Sequence, residues 1–477
     1  MSKNSYDFTI PTYVTQWLTN KGYTQPHKAM DSHIEKWYRW LKASTDFYAF
    51  DYVDTANVRR RGHRMSIKPA KRVCAEWASL LLNDKTEINC QEQTCTDYLN
   101  AYLQSSGFVP MAQELVERAF ALGTGAVALW LNPAESEIAF DIYDARMMIP
   151  LSWDRGGITE CAFCTQASIQ GEIIDQLQLH VKESGTYHIK TVCFTSEGRE
   201  VTFEDVLGDL DTQCATPTFC VVRPAISNTV VDLSPFGMSI FEDAIDGIKS
   251  VDLSYDAIYN EIGTGKLRIF IPDMLVETLD KDGKKMAIPF GRDDDVIYRK
   301  VSTTDDNIDF FAPALRTEQQ VKAYRTAWQT LGDLCGFGLK YFDVDESGGL
   351  KTATEVTSDN SALMRNIRKH ENLLARGLAQ FCASVLQCAR VFDVAQVVQG
   401  VNIAGSSLPA EGVITINFDD SIITDTTAEK AQDLAEYSAG LMNGWEYRAK
   451  WYAEDEDTAK ENMPQTATAE PAFTFDE

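Results

Sequence analysis

The sequence predicts an α+β fold, and three observations predict it. Amphipathic helical patterns fill both ends of the chain, a block of short alternating segments between residues 126 and 223 reads as antiparallel strands, and Ser239–Asp393 reads as one organising stretch. That stretch runs helix, small β-rich insertion, helix, glycine-rich loop and one long helix. Ser239-Ile-Phe-Glu242, Thr317-Glu-Gln-Gln320 and Thr352-Ala-Thr-Glu355 each fit the capping box at the head of an apolar pattern. In that motif a hydroxyl takes the N–H three residues on and the Glu or Gln reaches back.

Taken in order, residues 1–50 carry two amphipathic helices, Thr12–Leu18 and His27–Lys42, the second with the packing cluster Trp37, Tyr38 and Trp40. Arg59, Arg60, Arg61, Arg64, Lys68, Lys71 and Arg72 then follow with no acid among them, the sharpest local charge contrast in the chain. Such a patch contacts nucleic acid or an acidic neighbouring subunit, or else is a solvated loop. Helices are expected at Pro69–Leu82, with proline in its first turn, and at Pro110–Leu122, closed by Gly123. Strands are expected at Ala126–Leu131, Glu137–Tyr143, Thr159–Ile169, Leu177–Glu183, Thr186–Thr195 and Phe219–Arg223, with turn chemistry at Asp154-Arg-Gly-Gly157 and Glu183-Ser-Gly-Thr186.

The first central helix, Ile240–Ile262, holds Ile248, Val251, Tyr255 and Ile258 on one face. The insertion has strands at Leu267–Ile271 and Val296–Lys300, a turn at Asp280-Lys-Asp-Gly283 and a polar loop, Arg292-Asp-Asp-Asp295, whose acids lack the spaced partners of a cation site. The second helix, Glu318–Cys335, returns antiparallel to the first. Four glycines in residues 336–351 give a loop expected to be mobile. The long helix, Thr352–Phe392, has its apolar stripe at Leu363, Ile367, Leu374, Leu378, Phe381 and Val385, and a net charge of +2. Uninterrupted from 352 to 393 it spans roughly 60 Å, more than a small domain can cover, so neighbouring copies are its natural partners. A strand at Ile414–Phe418 and helices from Thr426 to about Asn443 and from Trp445 to Met463 close the chain, followed by a Thr/Ala/Pro-rich tail expected to be disordered.

Composition narrows function. The 477 residues are 44% hydrophobic and 24% charged, with a net charge of −26, which disfavours a protein that coats nucleic acid. Residues 419–477 hold fifteen acids and four bases, so they contribute −11 of that total. No apolar run reaches eighteen residues, so no membrane span is expected. The first residues, Met1-Ser-Lys-Asn-Ser-Tyr-Asp7, lack the apolar centre of a signal peptide, and the product is expected in the cytoplasm unless it leaves inside a particle. The eleven cysteines include one C-x-x-C, Cys161-Ala-Phe-Cys164, with no histidine pair at finger spacing. They are expected as reduced, buried thiols. The six histidines form no metal motif, and His180 and His188 flank a hairpin turn as exposed or satisfied groups. With no nucleophile elbow, Walker motif or dinucleotide fingerprint, no catalysis, cofactor or metal is expected.

Four segments then carry a resemblance. They are Arg64-Met-Ser-Ile-Lys-Pro-Ala-Lys-Arg-Val-Cys-Ala-Glu-Trp-Ala-Ser-Leu-Leu-Leu-Asn-Asp84, Ser234-Pro-Phe-Gly-Met-Ser-Ile-Phe-Glu-Asp-Ala-Ile-Asp-Gly-Ile-Lys-Ser-Val-Asp252, Lys351-Thr-Ala-Thr-Glu-Val356 with Asn366–Glu371, and Ile416-Asn-Phe-Asp-Asp-Ser-Ile422. In this order they resemble the portal proteins of tailed bacteriophages, the head-to-tail connectors of the Gram-positive siphophage type. The resemblance implies an elongated, ring-forming subunit, about twelve copies at one capsid vertex around a channel for double-stranded DNA. It implies an α/β wing at 1–238, stem helices at 239–263 and 317–335, a small α/β clip at 264–316, a tunnel loop at 336–351, a long kinked tunnel helix at 352–393, a wing strand segment at 394–425 and a helical crown at 426–463. Implied partners are the large terminase subunit, head–tail adaptor proteins, and the major capsid and scaffolding proteins. Lys340 and Lys351 are the DNA-facing candidates on the loop, with Arg365, Arg368 and Lys369 next. An oligomeric scaffold or adaptor that conducts no DNA remains the alternative.

Overall fold

The computed structural model describes residues 8–23, 28–54, 57–82, 86–132, 137–169, 171–203, 208–272, 277–279, 282, 285–287, 297–300, 307–342, 361–418, 426–452 and 456–463. The fold is α+β, in two compact units. The larger comprises residues 1–345 and 365–418, the smaller 346–364 and 419–477.

The larger unit opens with helices α1 (Thr12–Asn20) and α2 (Lys28–Leu41), then a hairpin of β1 (Ala49–Val53) and β2 (Arg59–His63). Helix α3 (Pro69–Leu81), strand β3 (Glu87–Cys90) and helices α4 (Gln93–Ser105) and α5 (Phe108–Leu122) follow. Two antiparallel sheets come next. One has the order β12-β4-β5 (Phe219–Val222, Gly125–Asn132, Glu137–Asp144). The other runs β10-β9-β8-β7-β6, with β11 also on β9 (Glu200–Val201, Thr186–Thr195, Glu172–Glu183, Gly157–Ile169, Met148–Asp154; Asp209–Asp211). Helix α1 lays Val14 and Leu18 on this second sheet, against Leu177, Leu179, Val181 and Phe194. Cys161 and Cys164 are buried free thiols on β7, and all eleven cysteines are free.

Helix α6 spans Ile245–Thr264, later than the expected start at Ile240. The capping box at Ser239 does not form. Ser239 Oγ donates to Phe120 O and accepts from Phe241 N at 3.4 Å, while the Glu242 carboxylate accepts from Lys36 Nζ (2.7 Å) and Trp37 Nε1 (2.5 Å). Long-range partners have taken both side chains, and residues 242–244 make one 3₁₀ turn instead. The box at Thr317 is also unused: the Gln320 amide donates to Glu261 rather than reaching back.

Strands β13 (Arg268–Pro272), β16 (Ile297–Lys300) and β17 (Asp309–Phe311) form a sheet with β13 central, parallel to β16 and antiparallel to β17. Strands β14 (Glu277–Leu279) and β15 (Lys285–Ala287) form a hairpin; Arg292–Asp295 lies outside the described residues. Helix α7 (Thr317–Leu334) returns along α6. Gly247 of α6 faces Leu331, and Glu261 accepts Arg316 N at 2.7 Å, which sets the pair antiparallel.

Helix α8, Ser361–Val391, has 31 residues and so is about 46 Å long; Thr352–Glu355 lies outside the described residues. Leu363, Ile367, Leu374, Leu378, Phe381 and Val385 are buried along it as expected. Strands β18 (Gln396–Val398) and β19 (Val401–Ile403) pair, and β20 (Ile414–Asn417) pairs with β3. In the smaller unit, the expected final helix is two helices, α10 (Gly444–Tyr452) and α11 (Glu456–Glu461), after α9 (Thr426–Ser438). Asp433 of α9 accepts from Lys450 Nζ at 2.7 Å and Trp451 Nε1 at 2.8 Å, holding α9 to α10.

Candidate nucleic-acid interface

Two basic regions stand out in the acidic chain, and the fold treats them differently. The patch at 59–72 begins on a strand and ends on a helix, with Arg64 and Lys68 in the irregular segment between them. Arg59, Arg60 and Arg61 lie on β2, opposite Val53, Tyr52 and Asp51. That register and the adjoining turn supply counter-charges: Arg59 Nη2 sits 3.2 Å from Asp51 Oδ2, and Arg60 Nε 2.9 Å from Asp54 Oδ2. Arg64 donates to Phe47 O and lies over the Phe47 and Phe50 rings at 4.2 and 4.9 Å. Lys68 precedes α3 in a left-handed conformation (φ 54°). Lys71 acts electrostatically on Glu117, and Arg72 lies over Trp328 at 5.1 Å. Buried Asp252 of α6 fixes this segment, accepting from Tyr48 OH and Ser66 Oγ at 2.7 Å and from Ile67 N at 3.0 Å. Burial raises the Asp252 carboxyl above the usual range despite those donors.

Helix α8 carries the second region. Arg365, Arg368, Lys369 and Arg376 are exposed, and at 100° per residue they fall on one stripe opposite the buried leucines. Among the described residues none of the four makes a hydrogen bond or ion pair. Arg390, further along the same face, is neutralised by Glu411 at 2.5 Å.

An aromatic knot seats the helix. Trp77 of α3 donates to Cys335 O (3.1 Å) and packs on Phe337 (4.6 Å) and His370 (4.8 Å), while Phe120 closes on His370 at 5.0 Å. His370 Nδ1 accepts Ala225 N at 2.9 Å. Burial, then the charge of Lys369, lowers its pKa to about 4, so the ring is neutral and free to accept. The opening of the glycine-rich loop is part of this knot. Gly336 takes φ +89°, its carbonyl accepts from Asn366 Nδ2 at 2.8 Å, and Tyr341 donates to Glu76 at 3.0 Å. Residues 336–342 are therefore pinned, not mobile as expected, with Lys340 exposed on their surface; Lys351 lies outside the described residues.

The histidines correct one expectation. His180 is fully buried, with Nδ1 bonded to Thr218 Oγ1 at 2.7 Å and Nε2 without a partner among the described residues; burial lowers its pKa to about 3. Its place in the interior, between Phe163 and Phe219, follows from cross-sheet packing that a turn-based reading does not see. Glu183, His188 and Asp209 bring one ligand atom each within 4.8 Å of one another. Lys190 Nζ already occupies this cluster, 2.6 Å from Glu183 and 3.5 Å from Asp209, so the group is an ion-pair network. Among the described residues no helix is long and apolar enough to cross a membrane.

Solved structures similar to this chain include the virion of a native gene transfer agent particle (10% identity, 91% of this chain and 97% of that one, TM-score 0.43). The neck of the same kind of particle, computed with C12 symmetry, is similar at 11% identity over 92% and 98%, with a TM-score of 0.42. No curated protein matches. The description "Phage portal protein, SPP1 Gp6-like" matches residues 21–450, nearly the whole chain. The chain belongs to the SPP1 Gp6-like phage portal protein family.

Proposed function

We propose that the chain forms the portal ring at one capsid vertex of a virion, about twelve copies around a channel through which double-stranded DNA is packaged and ejected. The observation that carries the DNA-contacting role is the uncompensated cationic stripe of α8 in a chain of net charge −26. A few unpaired cations against an acidic background give contacts to the DNA backbone that form and release, weaken with salt, and do not trap the duplex. In this reading residues 1–238 form the wing, α6 and α7 the stem, 264–316 the clip that terminase and then head–tail adaptors dock on, 336–351 the tunnel loop and 426–463 the crown. Arg365, Arg368 and Lys369 contact DNA, joined by Lys340 and Lys351 on the loop, and the wing meets capsid and scaffolding proteins. Exposed Ile262, Leu267, Phe310, Phe311 and Leu315 at and beyond the end of α6 are apolar surface that neighbouring copies would cover. No step calls for a catalytic centre; the packaging motor would be a separate ATPase. End views of the purified chain by electron microscopy test this: a closed ring of about twelve copies with a hole wide enough for a duplex is expected, and dimers or open filaments would overturn it.

A further inference from the structure

A pair of adjoining cavities lies beside the α8 stripe. The larger, about 450 Å³, is walled by the segment 223–228 and by Lys369; the smaller, about 100 Å³, by the Gly156-Gly157 turn, Arg376 and Gly377. Arg223 and Leu373 belong to both walls. Arg223 thus lines both cavities, Lys369 the larger and Arg376 the smaller, and among the described residues no Asp or Glu lines either although the chain holds 70 acids. Arg223 is only half-exposed, and among the described residues it has no hydrogen bond, ion pair or ring partner. A guanidinium taken partly out of water without a counter-charge is costly. This one is also held in place, because its segment is fastened to α8 by the Ala225–His370 bond of 2.9 Å. Further along, Asn228 Oδ1 accepts Val230 N and Val231 N, and its Nδ2 donates to Phe236 O at 3.1 Å, so the wall is rigid. The close approach of Gly377, where a Cβ would lie 2.6 Å from Cys220 Sγ, brings Arg376 down to the smaller cavity.

We propose that these cavities bind phosphoryl groups, with Arg223 as the shared fork and Lys369 and Arg376 as flanking charges. A guanidinium matches two phosphate oxygens at once and Lys adds a point charge. A lone carboxylate leaves two of the three cations unmatched, whereas a pyrophosphate, or successive phosphates of a nucleic-acid strand, meets them together. The inference goes beyond the channel reading and stands without it, since a monomer that binds pyrophosphate keeps the one while losing the other.

The test is titration calorimetry of the full chain with pyrophosphate, then competition by a 20-base-pair duplex. Arg223→Gln is expected to weaken pyrophosphate binding at least tenfold, Lys369→Gln several-fold, and Arg61→Gln on the hairpin not at all. Lys369 is solvent-facing, so its variant keeps the test alive if Arg223→Gln misfolds. Displacement of pyrophosphate by the duplex assigns the site to the DNA backbone, and binding without displacement assigns it to a free phosphate compound. Absence of pyrophosphate binding, or an equal loss in Arg61→Gln, overturns the proposal.

Discussion

The hairpin β1–β2 and the helix α8 are both basic, and they differ in what surrounds the charge. On the hairpin, cross-strand neighbours and the connecting turn place Asp51 and Asp54 against Arg59 and Arg60, and aromatic rings cover Arg64. On α8 the only acid at i±3 or i±4 from Arg365, Arg368, Lys369 and Arg376 is Glu371, and among the described residues none of the four is hydrogen-bonded or ion-paired. Arg59 and Arg60 are thus matched by acids in space, whereas among the described residues Arg365, Arg368, Lys369 and Arg376 are not. A count of lysines and arginines measures charge; only their neighbours determine the potential a phosphate meets.

The largest effect that can break this comparison comes from unseating α8. Trp77→Ala removes the ring that holds Cys335, Phe337 and His370, and should cost about 3–5 kcal/mol of unfolding free energy in a denaturant titration. For the same knot, an acid titration of His370→Gln against the parent chain comes next. Burial holds His180 near 3 and His370 near 4, while both protonate near 6.5 when unfolded. The unfolded chain therefore binds more protons below pH 6.5. The stability is present above that pH and is lost as pH falls, levelling off at about 4 for His370 and about 3 for His180, with a slope of up to about 1.4 kcal/mol per unit for each. His370→Gln, which keeps an acceptor for Ala225 N without titrating, should remove its share from the melting-temperature profile.

Duplex binding sharpens the contrast directly. Arg365→Gln with Arg368→Gln should lower the slope of log affinity against log salt by about 2, whereas Arg59→Gln with Arg60→Gln should lower it by less than about 1. Equal losses in fluorescence anisotropy would dissolve the distinction between the regions. The smallest expected effect is that of Asp51→Asn, which frees Arg59. Stability should change by about 0.5 kcal/mol or less, while duplex affinity at low salt rises slightly.

Much of this molecule is legible locally. Thr186–Thr195 alternates apolar and polar residues between turn signals and forms the strand β9. The α8 stripe is written at threes and fours. What escaped has a common cause. Helix α4 and strand β6 lack strong periodicity of their own and are held by neighbours: Tyr98 donates to Val394 O at 2.8 Å, and β6 pairs along β7 with a register shift after Pro150. The cavity at Arg223 joins residues near 156, 223 and 376, too far apart in sequence for any spacing rule.

By itself the sequence determined the fold class, the antiparallel pair α6–α7 around its insertion, the amphipathic α8 and the family resemblance. Periodicity and turn chemistry are short-range properties that each segment carries with it. Tertiary structure alone decided which capping side chains were diverted, as Glu242 is to Lys36 and Trp37. It also decided that the loop after α7 begins as a pinned aromatic knot, and which cations kept their charge unmatched. Those outcomes depend on partners tens to hundreds of residues away, and a side chain with two competing partners goes to the one that packing brings within hydrogen-bond distance.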